Sequence, residues 1–286
     1  SWGLACSSPM PVTLSLSGRS QPCYDGLPLM SNSQKQGVAL VTGGAVRIGE
    51  SLVRTLSSAG YHVVIHYRSS EGPARRLAEE IKSEGGDASL VQADLTSQSD
   101  VQTLIARSAE VAGASISVLV NCASAFEDDA IDTFTDESLD LHMDVHLRTP
   151  MKLARDFAGQ AVAENNNQII NIIDQRVWAL TPKFFSYTIS KAALWTATQT
   201  LAQALGPKGI RVNAIGPGPT LKNKRQSDED WQKQNEATIL GHGATPDDIS
   251  AALLYLLSAT AVTGQMIAVD GGQHLAWETP DVMVNE

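Results

Sequence analysis

The sequence predicts an α/β domain built on a doubly wound sheet of seven mainly parallel strands flanked by helices. Two observations carry this prediction. From residue 37 onward, apolar β-branched runs alternate with segments of helical period, and the runs are apolar along their whole length. Strands of that kind are buried on both faces, and strand–helix–strand alternation requires right-handed crossovers in a parallel sheet.

The seven strands are predicted, in chain order, at residues 38–42, 62–67, 88–93, 117–121, 168–173, 210–215 and 265–269. Helical segments lie between them, marked by apolar rows such as Ile48, Leu52 and Leu56, and the longest covers residues 183–205. Because no fixed-period repeat and no linker follows residue 36, residues 37–286 are predicted to form a single domain.

Residues 1–36 are rich in Ser, Pro and Gly and show no sustained helical or strand period. We expect them to be a poorly ordered N-terminal extension. They lack the basic and continuous apolar regions of a secretory signal and the Arg-rich pattern of a transit peptide. Because the first strand begins shortly after Met30, a physiological start at Met30 is a further hypothesis.

The composition argues against several classes of protein. Apolar residues make up 43% of the chain and charged residues 18%, which is typical of a globular protein rather than a disordered one. The formal net charge of −10 disfavours binding to nucleic acid or to anionic membranes, and no apolar run is long enough to span a bilayer. Cys6, Cys23 and Cys122 have no metal-site spacing, so we expect no metal and a cytoplasmic protein with reduced thiols.

A glycine-rich turn, TGGAVRIG at residues 42–49, joins the first predicted strand to a helix. Gly43 and Gly49 allow a tight turn and a close backbone approach to a pyrophosphate, and the helix N-terminus adds partial positive charge. With Arg47 and Ile48, these glycines are the first candidate residues of a Rossmann-like dinucleotide site. An ordinary tight turn is the alternative interpretation.

The end of the second strand predicts which dinucleotide binds. NAD enzymes usually place an acidic residue there, whereas Tyr67, Arg68 and Ser69 offer a cation and a hydroxyl to a 2′-phosphate. Arg47 adds a second cation nearby. We therefore predict NADP(H) as the cofactor; the alternative is that both arginines are solvated surface charges.

Tyr187 and Lys191 lie four residues apart on the longest predicted helix and therefore share a helix face. An ammonium group near a phenol favours the phenolate, so we expect a lowered pKa of Tyr187 and a proton donor or acceptor usable near neutral pH. A helix surface pair is the alternative.

Together these motifs resemble the short-chain dehydrogenase/reductase family in order and spacing, from residue 37 to about residue 277. Further matching segments are residues 94–95 after the third strand, 121–124 after the fourth, 213–218 and 270–272. The resemblance implies that Asp94 contacts the adenine, that residues 121–124, with Asn121, Ala123 and Ser124, line the cofactor, that Lys191 holds the nicotinamide ribose, and that Pro217 and Gly218 border the nicotinamide. Leu95 and Tyr187 are further predicted cofactor-binding residues.

The chain departs from the usual family pattern after the fifth strand, where Asp174 stands in place of a serine. An ionised carboxylate only accepts hydrogen bonds, so it repels a carbonyl oxygen and suits a substrate rich in N–H groups. We therefore predict Asp174, Tyr187 and Lys191 as the catalytic residues and reduction of C=N rather than C=O.

This Asp/Tyr/Lys arrangement is similar to that of pteridine reductases, as are Arg47, the HYRS turn at 66–69 and the ASAF segment at 123–126. The resemblance implies that Phe126 stacks a flat pterin against the nicotinamide, with Ser124 and Arg47 beside the pterin or the phosphates. The predicted substrate-binding residues are Arg47, Ser124, Phe126, Asp174 and Tyr187. For Phe126, a core aromatic under a loop is the alternative.

Several positions have less specific predictions. His146 aligns with an asparagine on a helix of the wider family, and it either bonds a relay water or is a packed structural histidine. Cys122 is predicted to be a small buried filler. Residues 221–243 are predicted to form a substrate lid, whose cations Lys222, Lys224 and Arg225 either meet a folate glutamate tail or form a solvated charge run.

The predicted function is NADPH-dependent reduction of a C=N bond in a pterin or dihydrofolate-like small molecule. The family resemblance implies a homotetramer, with residues 274–277 reaching a neighbouring subunit. One alternative is an NADPH-dependent carbonyl or 3-oxoacyl reductase. Another is a non-catalytic NADP(H)-sensing protein, because a fold does not fix a function.

Overall fold

A computed structural model describes residues 36–223 and 226–278 of the chain. The described residues lie in one compact unit, which spans residues 32–286. The predicted N-terminal extension falls outside them except for Gln36, so its expected lack of order stays a prediction.

Seven parallel strands form one sheet: β1 (Val38–Thr42), β2 (His62–Tyr67), β3 (Ala88–Gln92), β4 (Ile116–Asn121), β5 (Gln168–Ile172), β6 (Arg211–Pro217) and β7 (Met266–Val269). Their order across the sheet is β3-β2-β1-β4-β5-β6-β7, and every neighbouring pair is parallel. The predicted Rossmann-like fold is confirmed, with strand ends that differ by no more than two residues from those predicted.

The helices are α1 (Arg47–Ser58), α2 (Glu71–Ser83), α3 (Gln98–Ala112), α4 (Asp136–Met143), α5 (Thr149–Gln160), α6 (Phe185–Leu205), α7 (Asp228–Glu236) and α8 (Pro246–Ser258). A π-helical turn, Asp144–Arg148, joins α4 to α5, and a 3₁₀ turn, Gln175–Val177, follows β5. In the described part of the chain, no helix is long and apolar enough to cross a membrane.

Alternate residues of each strand face opposite sides of the sheet, and both sides are covered. Val41 and Ile65 pack with α1, α2 and α8, whereas Leu40 and Val64 pack with α3, α5 and α6. This two-sided burial explains why the strands read as continuous apolar runs. Because all strands are parallel, their carboxyl ends meet at one edge, beside the point where the strand order reverses between β1 and β4.

Candidate active site

The glycine-rich turn between β1 and α1 brings backbone close to backbone. Gly43 has a φ of 64°, and a Cβ on Gly49 would lie 2.1 Å from the carbonyl oxygen of Gly43. Only glycine fits there, so helix α1 can begin directly against the turn. No side chain caps the helix at Val46, which leaves N-terminal N–H groups available to an anion such as a pyrophosphate. Ile48 packs against the core beneath.

His66 fixes this turn to the neighbouring strands. The Gly43 N–H donates to His66 Nδ1 at 3.0 Å, and His66 Nε2 lies 3.1 Å from the Ala93 carbonyl oxygen. Because the N–H can only donate, the ring proton sits on Nε2. Burial lowers the pKa of His66 to about 4, so the ring stays neutral. This role of His66 is not among those predicted from the sequence, although a polar residue within an apolar strand is the signal that could have indicated it.

The turn after β2 presents a cation and a hydroxyl, since Arg68 and Ser69 are exposed while Tyr67 is partly buried. Within residues 36–223 and 226–278, Arg68 has no ion-pair partner, so its charge is available to an anion. Asp94 is engaged locally, because hydrogen bonds from the Thr96 N–H and hydroxyl lower its pKa.

Arg47 lies in the glycine-rich turn with a φ of 56°, and its side chain contacts the predicted lid, residues 221–243. Its guanidinium donates to the carbonyl oxygens of Leu221 at 3.1 Å and Lys222 at 3.3 Å. The lid contains helix α7, while Lys224 and Arg225 lie outside the described residues. Arg47 thus connects the turn to the lid, and its contact with phosphate or substrate stays a prediction.

The three predicted catalytic residues come together at the ends of β5 and α6. The Tyr187 hydroxyl donates to Asp174 Oδ2 at 2.9 Å, across thirteen residues of sequence. Lys191 Nζ donates to the Ile172 carbonyl oxygen at 2.8 Å and lies 5.7 Å from the centre of the Tyr187 ring. Tyr187 and Lys191 are buried, which argues against a helix surface pair.

The expected lowering of the Tyr187 pKa is wrong for this structure. Burial raises the pKa of Tyr187 well above its usual value, and the charge and hydrogen bond of Asp174 raise it further. Burial also lowers the pKa of Lys191 to about 8. The ammonium group bonds a backbone carbonyl and not the phenol, so it does not offset the effect of Asp174. The site therefore holds a protonated tyrosine, which suits a proton donor.

Phe126 lies at the site and is only partly buried, in contrast to a core aromatic. Its ring stacks on Phe184 with a centroid distance of 4.5 Å and meets the Tyr187 ring edge-on at 4.8 Å. One face of Phe126 is therefore covered by Phe184, which a flat ligand would have to displace in order to stack on that face.

Two buried histidines hold the backbone on either side of Phe126. The Ala125 N–H donates to His146 Nε2 at 3.1 Å, and the Glu127 N–H donates to His142 Nε2 at 3.2 Å. His146 Nδ1 then donates to Ser190 Oγ on α6 at 2.8 Å. Burial lowers the pKa of His146 well below its usual value, so the ring stays neutral. Both ring nitrogens of His146 are used by the protein, which supports the structural role.

Asp129 caps the catalytic helix from outside it. Phe184, at the N-terminus of α6, has no capping side chain and adopts a φ of 54°. Asp129 Oδ1 accepts the Ser186 N–H at 3.0 Å, and the Asp129 carbonyl oxygen accepts the Phe185 N–H at 3.1 Å. Sequence reasoning missed this role, because the cap lies far along the chain from the helix that it serves.

The end of β4 carries the remaining predicted cofactor residues. Thr42 Oγ1 accepts the Ala123 N–H at 3.1 Å, which holds this end beside the glycine-rich turn. Asn121 Oδ1 is buried without a partner, and a cavity of about 10 Å³, with room for one water, touches Asn121, His146 and Lys191. Burial raises the pKa of Cys122 to about 11, as expected for an unreactive buried thiol.

Four other predicted residues frame the site. Leu95 is buried, and its carbonyl oxygen accepts from Thr149 Oγ1 at 2.7 Å. Ser124 is exposed, and its hydroxyl lies 3.0 Å from His146 Nε2. Pro217 ends β6, and the Gly218 N–H donates to the Val269 carbonyl oxygen at 3.0 Å.

In the part of the chain that the structure describes, no cluster of His, Cys, Asp and Glu is suited to a metal ion.

Comparison with known proteins places this geometry among reductases. Residues 43–274 match a family model described as Enoyl-(Acyl carrier protein) reductase. An uncharacterized oxidoreductase of Methylorubrum extorquens is 33% identical over 242 residues, which cover 82% of this chain and 96% of the relative. The 3-oxoacyl-[acyl-carrier-protein] reductase FabG of Staphylococcus aureus is 29% identical over 241 residues, covering 83% and 98%.

Two solved structures are similar over most of their length. FolM alternative dihydrofolate reductase 1 from Brucella canis, complexed with NADP, has a TM-score of 0.83 and 46% identity, covering 87% of this chain and 98% of that one. A blue fluorescent protein from a metagenomic library, in complex with NADPH, has a TM-score of 0.78 and 29% identity, covering 84% and 99%.

Proposed function

Because the chain belongs to the short-chain dehydrogenase/reductase family, whose members are oxidoreductases, we propose that it uses NADPH to reduce a C=N bond of a pterin or dihydrofolate-like substrate. The observation that carries the substrate class is the carboxylate of Asp174, hydrogen-bonded to the buried hydroxyl of Tyr187. The similarity to a FolM dihydrofolate reductase supports the same class.

The residues present fit NADP(H). The glycine-rich turn leaves N–H groups for a pyrophosphate, and the exposed Arg68, which has no ion-pair partner in the described part of the chain, offers a cation to a 2′-phosphate. Asn121 Oδ1, which has no partner there either, is a buried acceptor for a hydroxyl. When bound, NADPH supplies the hydride. Lys191, anchored on Ile172, would hold the nicotinamide ribose, and Pro217 and Gly218 would border the ring.

Tyr187 supplies the proton. Its raised pKa keeps the hydroxyl protonated at neutral pH, so the proton is present on the oxygen when negative charge develops on the substrate nitrogen. Asp174 holds the hydroxyl in place and has its carboxylate oxygens available to substrate N–H groups. A carbonyl oxygen at the same position would face that carboxylate, which can only accept hydrogen bonds.

The similarity to FabG favours a second candidate, reduction of a 3-oxoacyl thioester. The two candidates differ at Asp174. A carbonyl reductase gains from a hydroxyl donor at this position, whereas a C=N reductase gains from an acceptor.

The test is NADPH oxidation with dihydrobiopterin, dihydrofolate, a ketone and a 3-oxoacyl thioester, using wild type and Asp174→Ser. We expect turnover of the pterin-type substrates, reduced about a hundredfold or more in the variant because Tyr187 loses its partner and the substrate loses an acceptor. Turnover of the ketone or thioester alone, retained or raised by serine, would instead assign the protein to the carbonyl reductases.

A further inference from the structure

Arg176 lies two residues after Asp174, and its backbone is held by the Asp174 carboxylate. The Arg176 N–H donates to Asp174 Oδ1 at 2.8 Å in the 3₁₀ turn after β5. The other oxygen of the same carboxylate accepts the Tyr187 hydroxyl. Asp174 thus fixes the backbone of Arg176 and the hydroxyl of Tyr187 at the same time, so the two residues keep a defined spacing.

The Arg176 side chain lies against the aromatic residues of the site. Its guanidinium carbon is 4.8 Å from the centre of the Phe184 ring and 5.9 Å from the centre of the Tyr187 ring. Phe184 in turn stacks on Phe126. The cation is therefore beside the proposed proton donor, Tyr187, and beside Phe184, the ring that covers Phe126.

The guanidinium has unused hydrogen-bonding capacity. Arg176 Nη1 is buried and has no hydrogen-bond partner, and within the described residues no carboxylate lies at ion-pair distance from this side chain. A buried N–H of a charged group that lacks an acceptor costs stability. Contact with the Phe184 face compensates only part of this cost, because it leaves Nη1 without an acceptor.

We propose that Arg176 binds a carbonyl oxygen on the substrate ring, an assignment that rests on the proposed function. Asp174 accepts from a ring N–H, and Arg176 donates to a carbonyl oxygen on the same edge. The pair then recognises a cyclic amide, in which N–H and C=O stand side by side, as in an oxopterin. A carboxylate on a folate tail has similar chemistry, but Nη1 is buried next to Tyr187, where the reacting ring lies.

The experiment measures the dissociation constants of two inhibitors for the NADP⁺-bound enzyme, in which no hydride is available: an oxidised oxopterin and a diaminopteridine in which an amino group replaces the ring carbonyl. We expect Arg176→Met to weaken binding of the oxopterin about tenfold or more, since the loss of a hydrogen bond to a charged donor has an effect of this size. Binding of the diaminopteridine should weaken less than about threefold. For Arg176→Lys, the oxopterin affinity should lie between those of wild type and Arg176→Met. Arg76→Met, an exposed arginine on α2, is the matched control.

The outcomes separate the inference from the function on which it rests. Equal weakening of both inhibitors would show that Arg176 only supports Phe184, and unchanged affinity for both would overturn the contact. A raised KM for dihydrofolate with no change for dihydrobiopterin would assign Arg176 to the tail carboxylate instead. Absence of pterin turnover in wild type would remove the proposed function, and the ring-carbonyl assignment with it.

Discussion

One proton, on the Tyr187 hydroxyl, determines what the catalytic residues can do. Burial and Asp174 keep it on the oxygen, so the tyrosine is an acid with a fixed hydrogen-bond acceptor. Lys191 contributes by position, because its ammonium is anchored on the Ile172 carbonyl oxygen. Proton transfer in the proposed direction, from Tyr187 to the substrate, is the direction that a reduction requires.

Replacing Tyr187 by Phe removes this proton and keeps the ring that contacts Phe126. We expect kcat with dihydropterin to fall by about a hundredfold to ten-thousandfold, the usual range for loss of a general acid. The Kd for NADPH, measured by fluorescence titration, should change less than about threefold. Tyr255→Phe, at an exposed tyrosine of α8, is the control. A variant with wild-type kcat would exclude Tyr187 as the acid.

The π-helical turn and α4 position the segment that contains Phe126. Their two histidines accept N–H groups from the residues on either side of it, and His146 connects this segment to Ser190 on the catalytic helix. A π-helical turn inside a helix is often found at a functional site, and here it directs a buried ring at Ala125. Asp129 joins the same loop to the N-terminus of α6.

If His146 affects pterin binding by positioning Phe126, the effects of substituting the two residues on the binding free energy should be non-additive. We expect His146→Leu and Phe126→Leu each to weaken binding of an oxidised pterin about tenfold, because one releases the segment and the other removes the stacking ring. The double variant should be little weaker than either single one, as measured by inhibition constants in a double-mutant cycle. Additive effects would mean that His146 acts elsewhere, and unfolding midpoints would show whether each variant is folded.

The candidate site lies at the carboxyl ends of the strands, so a residue that positions the site can also contribute to the stability of the sheet. His66 bridges three elements there, through bonds to Gly43 and Ala93, and its ring must stay neutral to accept the Gly43 N–H. Protonation of His66 at low pH therefore affects both the glycine-rich turn and the stability of the fold.

We expect the free energy of unfolding to depend on His66 in a defined pH range. The pKa of His66 is about 4 in the folded protein and about 6.5 in the unfolded chain, so the unfolded state takes up the proton first. The stabilisation is complete above pH 6.5 and decreases by about 3 kcal/mol as the pH falls to 4. Urea unfolding at several pH values measures it.

His66→Gln is the control for this prediction, since glutamine remains neutral over the whole range. Its unfolding free energy should lack the His66 part of the pH dependence, and the difference from wild type should shrink as the pH falls. A constant difference would show that His66 is not protonated differently in the two states.

The sheet, the glycine-rich turn and the Tyr187–Lys191 pair were predictable from the sequence. Each depends on residues close together along the chain: apolar runs, a turn between a strand and a helix, and two side chains one helical turn apart. Asp174 was found by comparison with a family pattern at the end of a predicted strand. Local spacing is visible in a sequence, so these features needed no coordinates.

Tertiary structure alone decided the contacts between distant segments and the protonation of buried groups. The Arg47 bonds to the lid span 174 and 175 residues, and the His146–Ser190 bond spans 44. Spacing predicted a lowered pKa for Tyr187 because it placed a lysine nearby, but desolvation and the carboxylate of Asp174 raise it. The contacts and the pKa both depend on which strand ends and loops meet at the edge of the sheet and on how much water they exclude. A local stretch of sequence determines neither of these.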